Sequence, residues 1–247
     1  LFAMVGQAAL RSDDPQVGYD LFESIISLQP ENAELREQLG LAKIAAGERD
    51  EGLKELQQAL ALDPTRANSE LAIAFQHFQE ANYDLALEGA LRIQKTHPHL
   101  PDGFNMAGAI YTAQGLLFDA TTAFNKALEV NPGDLMASAN LASLAREEEN
   151  IEEARRLYDN ALEYHPANPD ILIQYSRLEA MAGRETEALE RLQQAVDGNP
   201  NDLTPLVILG RVYLRTGSPE KVIDLTEDLT SEQRLNPSLL ELRGLAH

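Results

Sequence analysis

The sequence predicts an all-α fold, a solenoid of stacked antiparallel helix pairs. Three observations predict it: a composition that favours helix, a row of prolines at one spacing, and rows of small residues at the same spacing. Ala, Leu, Glu, Gln and Arg dominate the 247 residues and β-branched residues are sparse, a mixture that favours helix. With 15 Gly and 12 Pro, the chain does not have a low-complexity composition.

Half of the prolines follow a period of 34 residues. Twelve prolines scattered at random would place only about a third of one residue on any given phase of such a period. Because proline cannot continue a helix, we assign each proline of the row to the end of a unit's second helix. The row is Pro30, Pro64, Pro98, Pro132, Pro166 and Pro200.

Three rows of mostly small residues have the same period and indicate close helix packing. A glycine inside a helix costs roughly 1 kcal/mol relative to alanine, so its repetition at one phase needs a structural reason. Helix axes about 8 Å apart leave no space for a larger side chain where they cross. Where the second row reaches Val222, we expect a looser or shifted contact. The rows are Gly6, Gly40, Ala74, Gly108, Ala142, Ser176, Gly210 and Gly244, then Gly18, Gly52, Ala86, Ala120, Ala154, Ala188 and Val222, and finally Ile25, Ala59, Ile93, Ala127, Ala161, Ala195 and Leu229.

The unit after Pro30 shows how a helix pair is built. Apolar residues recur at helical spacing in 33–46 and again in 51–62, which predicts a first and a second helix there. Gly47, between them, suits the left-handed conformation that follows a helix end. The corresponding turns of later units contain Gly115, Gly183 and Gly217.

These features resemble the tetratricopeptide repeat (TPR) pattern over the whole chain. The residues that carry the resemblance are Leu39-Gly40, Ala59-Leu60 and Leu62-Asp63-Pro64, and then Phe104, Ala107-Gly108, Tyr111, Ala120, Phe124, Ala127 and Pro132. The resemblance implies a right-handed superhelix in which each unit contacts mainly its neighbours. We expect one array with units of approximately 1–32, 33–66, 67–100, 101–134, 135–168, 169–202 and 203–236, and a partial unit at 237–247. Since the sequence opens with Leu1 and ends inside a unit, we interpret it as a fragment of a longer protein.

Several positions depart from the TPR pattern. Arg36, Glu70 and Ser138 occupy the large aromatic slot of the first helix. The third unit has Gln94 and Thr96, and the seventh has Thr226 and Thr230, where apolar residues are usual. We expect the weakest packing in these units.

Charge and composition exclude several classes of partner. The formal net charge is −20, from 40 acidic and 20 basic residues, whereas nucleic acids and anionic membranes bind clustered Lys and Arg. No apolar run approaches the ~18–20 residues that span a bilayer, so we expect no membrane insertion by this segment. The excess of acid favours solubility, and a basic partner is the alternative. Cysteine is absent, which excludes disulfides and thiolate chemistry.

No pattern of catalytic, metal-binding or cofactor-binding residues is present, and we expect no enzyme activity. No two of the five histidines have the i, i+4 spacing of a helical zinc site. His97 and His99 flank Pro98, where a solvated turn is favoured over a metal site. The acidic run 147–153 is typical of a solvated surface.

The TPR resemblance implies that the first helices line a concave groove that binds a peptide or a partner protein. Transferred to this chain, that groove has an apolar early part, a small hydrogen-bonding middle and a basic late part, which suits an acidic segment or a carboxylate. No lysine occupies a groove position, because Lys43 falls on the packing side, so the lysine clamp of chaperone-binding TPR domains is missing. The candidate groove residues are Leu41, Ile44, Phe75, Phe78, Asn105, Asn140, Arg146, Gln174, Arg177, Arg211 and Arg215.

Two structural alternatives remain open for the groove. In one alternative, Phe75 and Phe78 do not bind a partner but fill gaps left by Ala74 and Ala81. In the other, the arginines pair with acids of the first helices such as Glu147 and Glu179.

The sequence between the packing residues, as in Leu39-Gly40-Leu41-Ala42, is similar to that of the bacterial TPR lipoproteins of the PEP-CTERM (exosortase) exopolysaccharide system. That resemblance implies an envelope scaffold, periplasmic or anchored to the outer membrane; otherwise we expect a cytoplasmic protein. One alternative is a regulatory or substrate-binding arm of a larger enzyme such as a glycosyltransferase. Another is a structural module that self-associates through its exposed C-terminal helix, where Leu239, Leu240, Leu242 and Leu245 lack a partner.

Overall fold

The computed structural model describes residues 15–227, 229–230 and 233–246, and these residues form helices and no strands. The expected all-α repeat fold is confirmed. Gly6 and His247 lie outside the described residues. The α-helices are α1 (Pro15–Leu28), α2 (Ala33–Ala45), α3 (Arg49–Leu62), α4 (Ala67–Gln79), α5 (Tyr83–Thr96), α6 (Asp102–Ala113), α7 (Leu117–Val130), α8 (Leu135–Glu147), α9 (Ile151–Tyr164), α10 (Pro169–Met181), α11 (Glu185–Gly198), α12 (Leu203–Arg215), α13 (Pro219–Leu225) and α14 (Pro237–Ala246), and a 3₁₀ helix at Gln233–Leu235 precedes α14.

The chain divides into two compact units, Leu1–Asn131 and Pro132–His247. In the first unit α2 packs on α3, α4 on α5, and α6 on α7. In the second unit α8 packs on α9, α10 on α11, and α12 on α13. Each pair is therefore a first and a second helix joined by a tight turn. No described helix has the length and apolar content needed to cross a bilayer.

The small residues lie where paired helices cross. A Cβ atom added to Gly40 of α2 would lie 2.8 Å from the carbonyl oxygen of Gly52 of α3, and one added to Gly52 would lie 2.6 Å from the carbonyl oxygen of Gly40. In the pair α6 and α7, a Cβ atom on Gly108 would lie 2.6 Å from the ring of Phe124. Real Cβ atoms do not approach other atoms so closely, and the close packing predicted from these rows is confirmed at these crossings.

The turns inside the pairs each contain one residue with positive φ. Gly47, Gly115, Gly183 and Gly217 have φ values of 90°, 74°, 75° and 74°, as their row predicts. At the equivalent position of two other turns, Ala81 has a φ of 58° and Glu149 a φ of 60°, and the row of glycines does not predict these. The turn after α2 is also shorter than expected, because α3 begins at Arg49 rather than near residue 51.

Two of the three polar residues in the aromatic slot have a partner on the second helix of their pair. Arg36 donates to Glu55 at 2.9 Å, and Glu70 accepts from Arg92 at 2.6 Å, so the two pairs have opposite polarity. Ser138 is fully buried, and within the described part of the chain its hydroxyl has no hydrogen-bond partner. Two of the three departures therefore carry an ion pair between packed helices.

The helix of the seventh repeat that contains Val222 is short. α13 has 7 residues, against 14 in α11 and in α5. Val222 itself is fully buried, and the hydroxyl of Thr226 donates to its carbonyl oxygen at 2.8 Å. In α5, Gln94 occupies a position that is usually apolar in the TPR pattern. It is accommodated because its side-chain amide donates to the carbonyl oxygen of Gly103 at 3.0 Å.

Candidate partner-binding site

The apolar candidate residues of the first unit divide between surface and interior. Leu41 and Phe75 are exposed, with 48% of Phe75 accessible, whereas Ile44 and Phe78 are half-buried. Phe78 packs against the buried cluster around Ala74 and Ala107. Its ring centroid lies 6.3 Å from that of Phe75. Phe78 thus has a packing role, and Phe75 is the surface member of the pair.

The two asparagine candidates occupy different environments. Asn105 lies in the interior of the first unit, with only 5% of the residue exposed. Asn140 is half-buried on α8, and its side-chain amide donates to the carbonyl oxygen of Met136 at 2.8 Å. Neither residue lines the cavities described next.

Three of the candidates meet in one open cavity of the second unit, which we call the arginine cavity. Its volume is about 480 Å³, and it lies against the first helices α8, α10 and α12. Arg146, Gln174 and Arg177 contribute its longest polar side chains. The lining residues are Ser143, Arg146, Asp170, Ile173, Gln174, Arg177, Thr204 and Ile208.

The polar groups of this cavity are held by neighbouring side chains. Arg146 donates to the hydroxyl of Ser143 at 3.0 Å, and the hydroxyl of Tyr158 on α9 donates to the amide oxygen of Gln174 at 3.5 Å. Burial raises the pKa of Tyr158, while the positive charges of Arg146 and Arg177 act in the lowering direction. The phenol therefore remains a neutral hydrogen-bond donor at physiological pH, although both guanidinium groups favour its ionised form.

A second cavity of about 400 Å³, which we call the apolar cavity, adjoins the first. Arg177 and Ile208 line both cavities. Its walls come from α10, α11 and α12, and they combine apolar side chains with two exposed arginines. The lining residues are Ser176, Arg177, Ala180, Glu185, Ala188, Leu189, Leu192, Ile208, Val212, Arg215 and Thr216.

The arginines that line the two cavities form no ion pair within the described residues. No carboxylate oxygen of that part of the chain lies within 4.0 Å of a nitrogen of Arg146, Arg177 or Arg215. The alternative in which these arginines pair with Glu147 or Glu179 does not occur within the described residues: the fully buried carboxylate of Glu179 accepts from Arg155 at 2.8 Å and lies 3.8 Å from Arg184. Because residues two apart on a helix do not face each other, Glu179 points away from Arg177.

Arg211 is the one arginine candidate outside both cavities. Its guanidinium lies 3.7 Å from the carboxylate of Glu241 on α14, and both side chains are largely exposed. The structure therefore brings Arg146, Gln174, Arg177 and Arg215 together and leaves Arg211 aside.

The apolar lining residues were missed by the sequence analysis. Ile208, Val212 and Arg215 are spaced i, i+4 and i+7, which places them on one face of α12. This spacing was a usable signal. Leu189 and Leu192 belong to a second helix, where the TPR resemblance assigns packing rather than binding, so the pattern gave no reason to include them.

Comparison with known proteins agrees with the repeat architecture. Residues 145–202, which include Arg146, Gln174 and Arg177, match the family model described as "Tetratricopeptide repeat". The peroxisomal targeting signal receptor of Kluyveromyces lactis is 26% identical over 183 residues, covering 59% of this chain and 32% of that protein. The chain spans about a third of the length of the first curated relatives that it matches.

Solved structures share the fold. A tetratricopeptide repeat protein from Parabacteroides merdae aligns with a TM-score of 0.64 at 17% identity, over 99% of this chain and 97% of that one. The human IFIT1 dimer with m7Gppp-AAAA aligns with a TM-score of 0.70 at 20% identity, over 99% of this chain and 60% of that one. At these identities the likeness concerns the fold alone.

Proposed function

We propose that this tetratricopeptide repeat chain is a protein-interaction scaffold that binds an acidic peptide segment of a partner protein through the arginine cavity. The observation that carries the proposal concerns three arginines on first helices of the second unit, none of which has a carboxylate partner within the described residues. Arg146 and Arg177 line the arginine cavity, and Arg215 lines the adjoining apolar cavity. A guanidinium binds a carboxylate through two parallel charge-assisted hydrogen bonds. A partner's Asp or Glu side chain supplies that carboxylate.

The charge balance of the chain makes these arginines unusual. With 40 acidic and 20 basic residues, a carboxylate is available for every arginine. In the second unit, the arginines of the second helices pair with such carboxylates: Arg155 with Glu179 at 2.8 Å, and Arg156 with Glu153 at 2.6 Å. Their counterparts at the cavities remain open to a ligand, so the proposal places recognition on the first helices.

A nucleic-acid ligand fits this site less well than a peptide. The human IFIT1 structure contains capped RNA, but the net charge of −20 here repels a polyanion. Each cavity also contains one acidic residue, Asp170 or Glu185, which a chain of phosphates would have to approach. A single carboxylate meets two arginines with less repulsion. The Kluyveromyces relative is a receptor of a targeting signal, which also supports a peptide ligand.

The test compares Arg177→Glu with Arg211→Glu as the matched control. Both variants reverse one exposed charge on a first helix, but only Arg177 lines the cavities. Peptides with a Glu between neutral residues, and the same peptides with Gln, are screened by fluorescence anisotropy. We expect Arg177→Glu to weaken binding of the Glu peptides at least about tenfold, since each charged hydrogen bond contributes about 1.5–3 kcal/mol. Equal binding by both variants, or no preference for Glu over Gln, would contradict the proposal.

The finer part of the proposal concerns the cellular context. A role in envelope exopolysaccharide assembly in the PEP-CTERM system is supported by the sequence similarity between the packing residues. It predicts that the intact gene encodes a lipid-bearing cysteine ahead of the repeats, and sequencing the gene tests it.

One specific observation favours self-association as a second function. Leu240 and Leu245 on α14 have 54% and 67% of their surface exposed. The expectation that Leu239 and Leu242 also lack a partner is wrong, because both are buried in a cluster with Leu206 and Val222. This exposed apolar surface of Leu240 and Leu245 is available for contact with a second copy of the chain. Sedimentation velocity of the unmutated chain and of Leu240→Glu checks this, and a monomer at every concentration would exclude it.

A further inference from the structure

We infer that the ligand of this site carries a large apolar side chain two residues away from its carboxylate, and that the apolar cavity binds that side chain. The inference rests on the proposed function and specifies the peptide further. It assigns the two cavities to two neighbouring side chains of one extended segment.

The two cavities are contiguous. Arg177 and Ile208 line both, so a ligand group held at Arg177 lies at the boundary between them. In an extended peptide, side chains two positions apart point to the same side, about 7 Å from each other. When the peptide's carboxylate is bound at Arg177, the side chain two residues away therefore lies on the same side of the peptide and reaches the apolar cavity. The motif is Glu-x-Leu or its reverse, with Phe, Ile or Met in place of Leu.

The walls of the apolar cavity explain why an apolar group is preferred there. Leu189, Ile208 and Val212 are only half-buried, so they keep apolar surface in contact with water when the cavity is empty. Covering that surface with a leucine or aromatic side chain is favourable, because it removes apolar area from water. The binding energy of the segment then comes from two sources, one electrostatic and one hydrophobic.

The charged residues around this cavity define what it rejects. Arg177 and Arg215 are exposed and attract the carboxylate, whereas Glu185 also lines the cavity and disfavours a second acid inside it. A peptide with consecutive acids is therefore a weaker ligand than one that alternates acid and apolar residues. The second cavity discriminates among acidic segments and so sets specificity.

The experiment uses three labelled peptides of the form Ser-Gly-X-Ser-Z-Gly-Ser. In the first, X is Glu and Z is Leu; in the second, Z becomes Ala; in the third, X becomes Gln. A parallel set has X and Z exchanged, so that both chain directions are sampled. We expect the Glu/Leu peptide to bind about tenfold more tightly than the Glu/Ala peptide, and the Gln/Leu peptide to lose most of its affinity.

A cavity-filling variant tests where the leucine binds. Ala180 is exposed and lines the apolar cavity, so Ala180→Phe fills the cavity without entering the core. We expect this variant to bind the Glu/Leu and Glu/Ala peptides equally, at the affinity of the unmutated protein for Glu/Ala. The matched control is Ala182→Phe, an exposed position that does not line the cavity, which should keep the tenfold preference. Circular dichroism confirms that both variants are helical.

The outcomes separate this inference from the proposed function. If the Glu/Leu and Glu/Ala peptides bind the unmutated protein equally well, and both binding reactions depend on Arg177, the inference is overturned while the acidic-peptide function stands. If no Glu peptide binds more tightly than its Gln counterpart, the proposed function fails and the inference fails with it. The peptide comparison on the unmutated protein decides both points even if a variant does not fold.

Discussion

At the scale of single residues, the turn inside each helix pair imposes a backbone conformation that one side-chain type satisfies best. Gly47, Gly115, Gly183 and Gly217 meet it, because glycine adopts positive φ without a steric cost. Ala81 and Glu149 adopt the same conformation with a Cβ atom. They are held there by the helices on both sides, whose packing outweighs a local cost of roughly 1–2 kcal/mol.

Replacing Ala81 by glycine should stabilise the protein. The variant removes the steric cost of φ = 58°, and the larger entropy of glycine in the unfolded chain offsets part of the gain. We expect a net increase of about 0.5–1 kcal/mol in the free energy of unfolding, measured by urea denaturation. The reciprocal control, Gly115→Ala, should lower that free energy by a similar amount. A loss of stability in Ala81→Gly would show that the alanine methyl group contributes packing in the turn.

At the scale of helices, polar contacts connect successive repeats in addition to apolar packing. Glu37 on α2 is buried, with 4% exposed, and reaches the start of α4. Its carboxylate accepts from the guanidinium of Arg66 at 2.8 Å, and from the backbone N–H and the hydroxyl of Ser69 at 3.1 and 2.7 Å. This contact satisfies a free N–H group of the first turn of α4 and fixes two first helices against each other.

The Glu37 contact should make the first unit sensitive to acid. Burial raises the pKa of Glu37, but the hydrogen bonds from Arg66 and Ser69 outweigh it and hold the pKa below the ordinary 4.5. A lowered folded-state pKa contributes stability that is present above the unfolded value and is lost as the pH falls through the folded value. We expect the free energy of unfolding to fall below about pH 4.5, and Glu37→Gln to flatten that part of the pH profile.

The control for this measurement is Glu34→Gln, which removes a charge from the same helix but not from the buried contact. Its pH profile should follow that of the unmutated protein. Identical profiles for Glu37→Gln and the unmutated protein would assign the acid sensitivity to other carboxylates.

At the scale of the whole molecule, the residues that we propose to bind the ligand lie in one of the two compact units. Every residue that lines the arginine and apolar cavities lies within Pro132–His247. The first unit contributes its own helix pairs and the exposed Phe75, but no lining residue of either cavity. Repeat arrays are stabilised mainly by contacts between neighbours, so a shortened array can keep its local structure.

A chain that begins at Pro132 should therefore retain the site. We expect such a protein to bind the Glu/Leu peptide with a dissociation constant within about threefold of the full chain, because contacts between neighbouring repeats dominate a solenoid. Isothermal titration measures this, and circular dichroism verifies the helical fold. A helical 132–247 protein without affinity for the peptide would show that residues before Pro132 take part in binding.

The repeat period, the helix pairs and the positions of close packing can be predicted from the sequence alone. These features follow from local rules: proline ends a helix, glycine adopts positive φ, and only small residues fit where helices cross. The TPR resemblance, which assigns the groove to the first helices, adds two expectations. It leaves Lys43 on the packing side, where the residue is buried and lies 3.0 Å from Glu51. It also selects Arg146, Gln174 and Arg177 as groove candidates.

The tertiary structure is needed to show which of these candidates line a common cavity. Arg177 and Arg211 occupy equivalent positions one period apart, yet Arg177 lines both cavities and Arg211 lies beside Glu241. Asn105 lies one position before the phase that Asn140 and Gln174 share, and it is buried. The apolar cavity takes its walls from α10, α11 and α12, and no single helix contains its pattern. The physical reason is that periodicity fixes the face of a helix on which a side chain lies, whereas the neighbouring helices determine whether that side chain is covered, paired or open to a ligand.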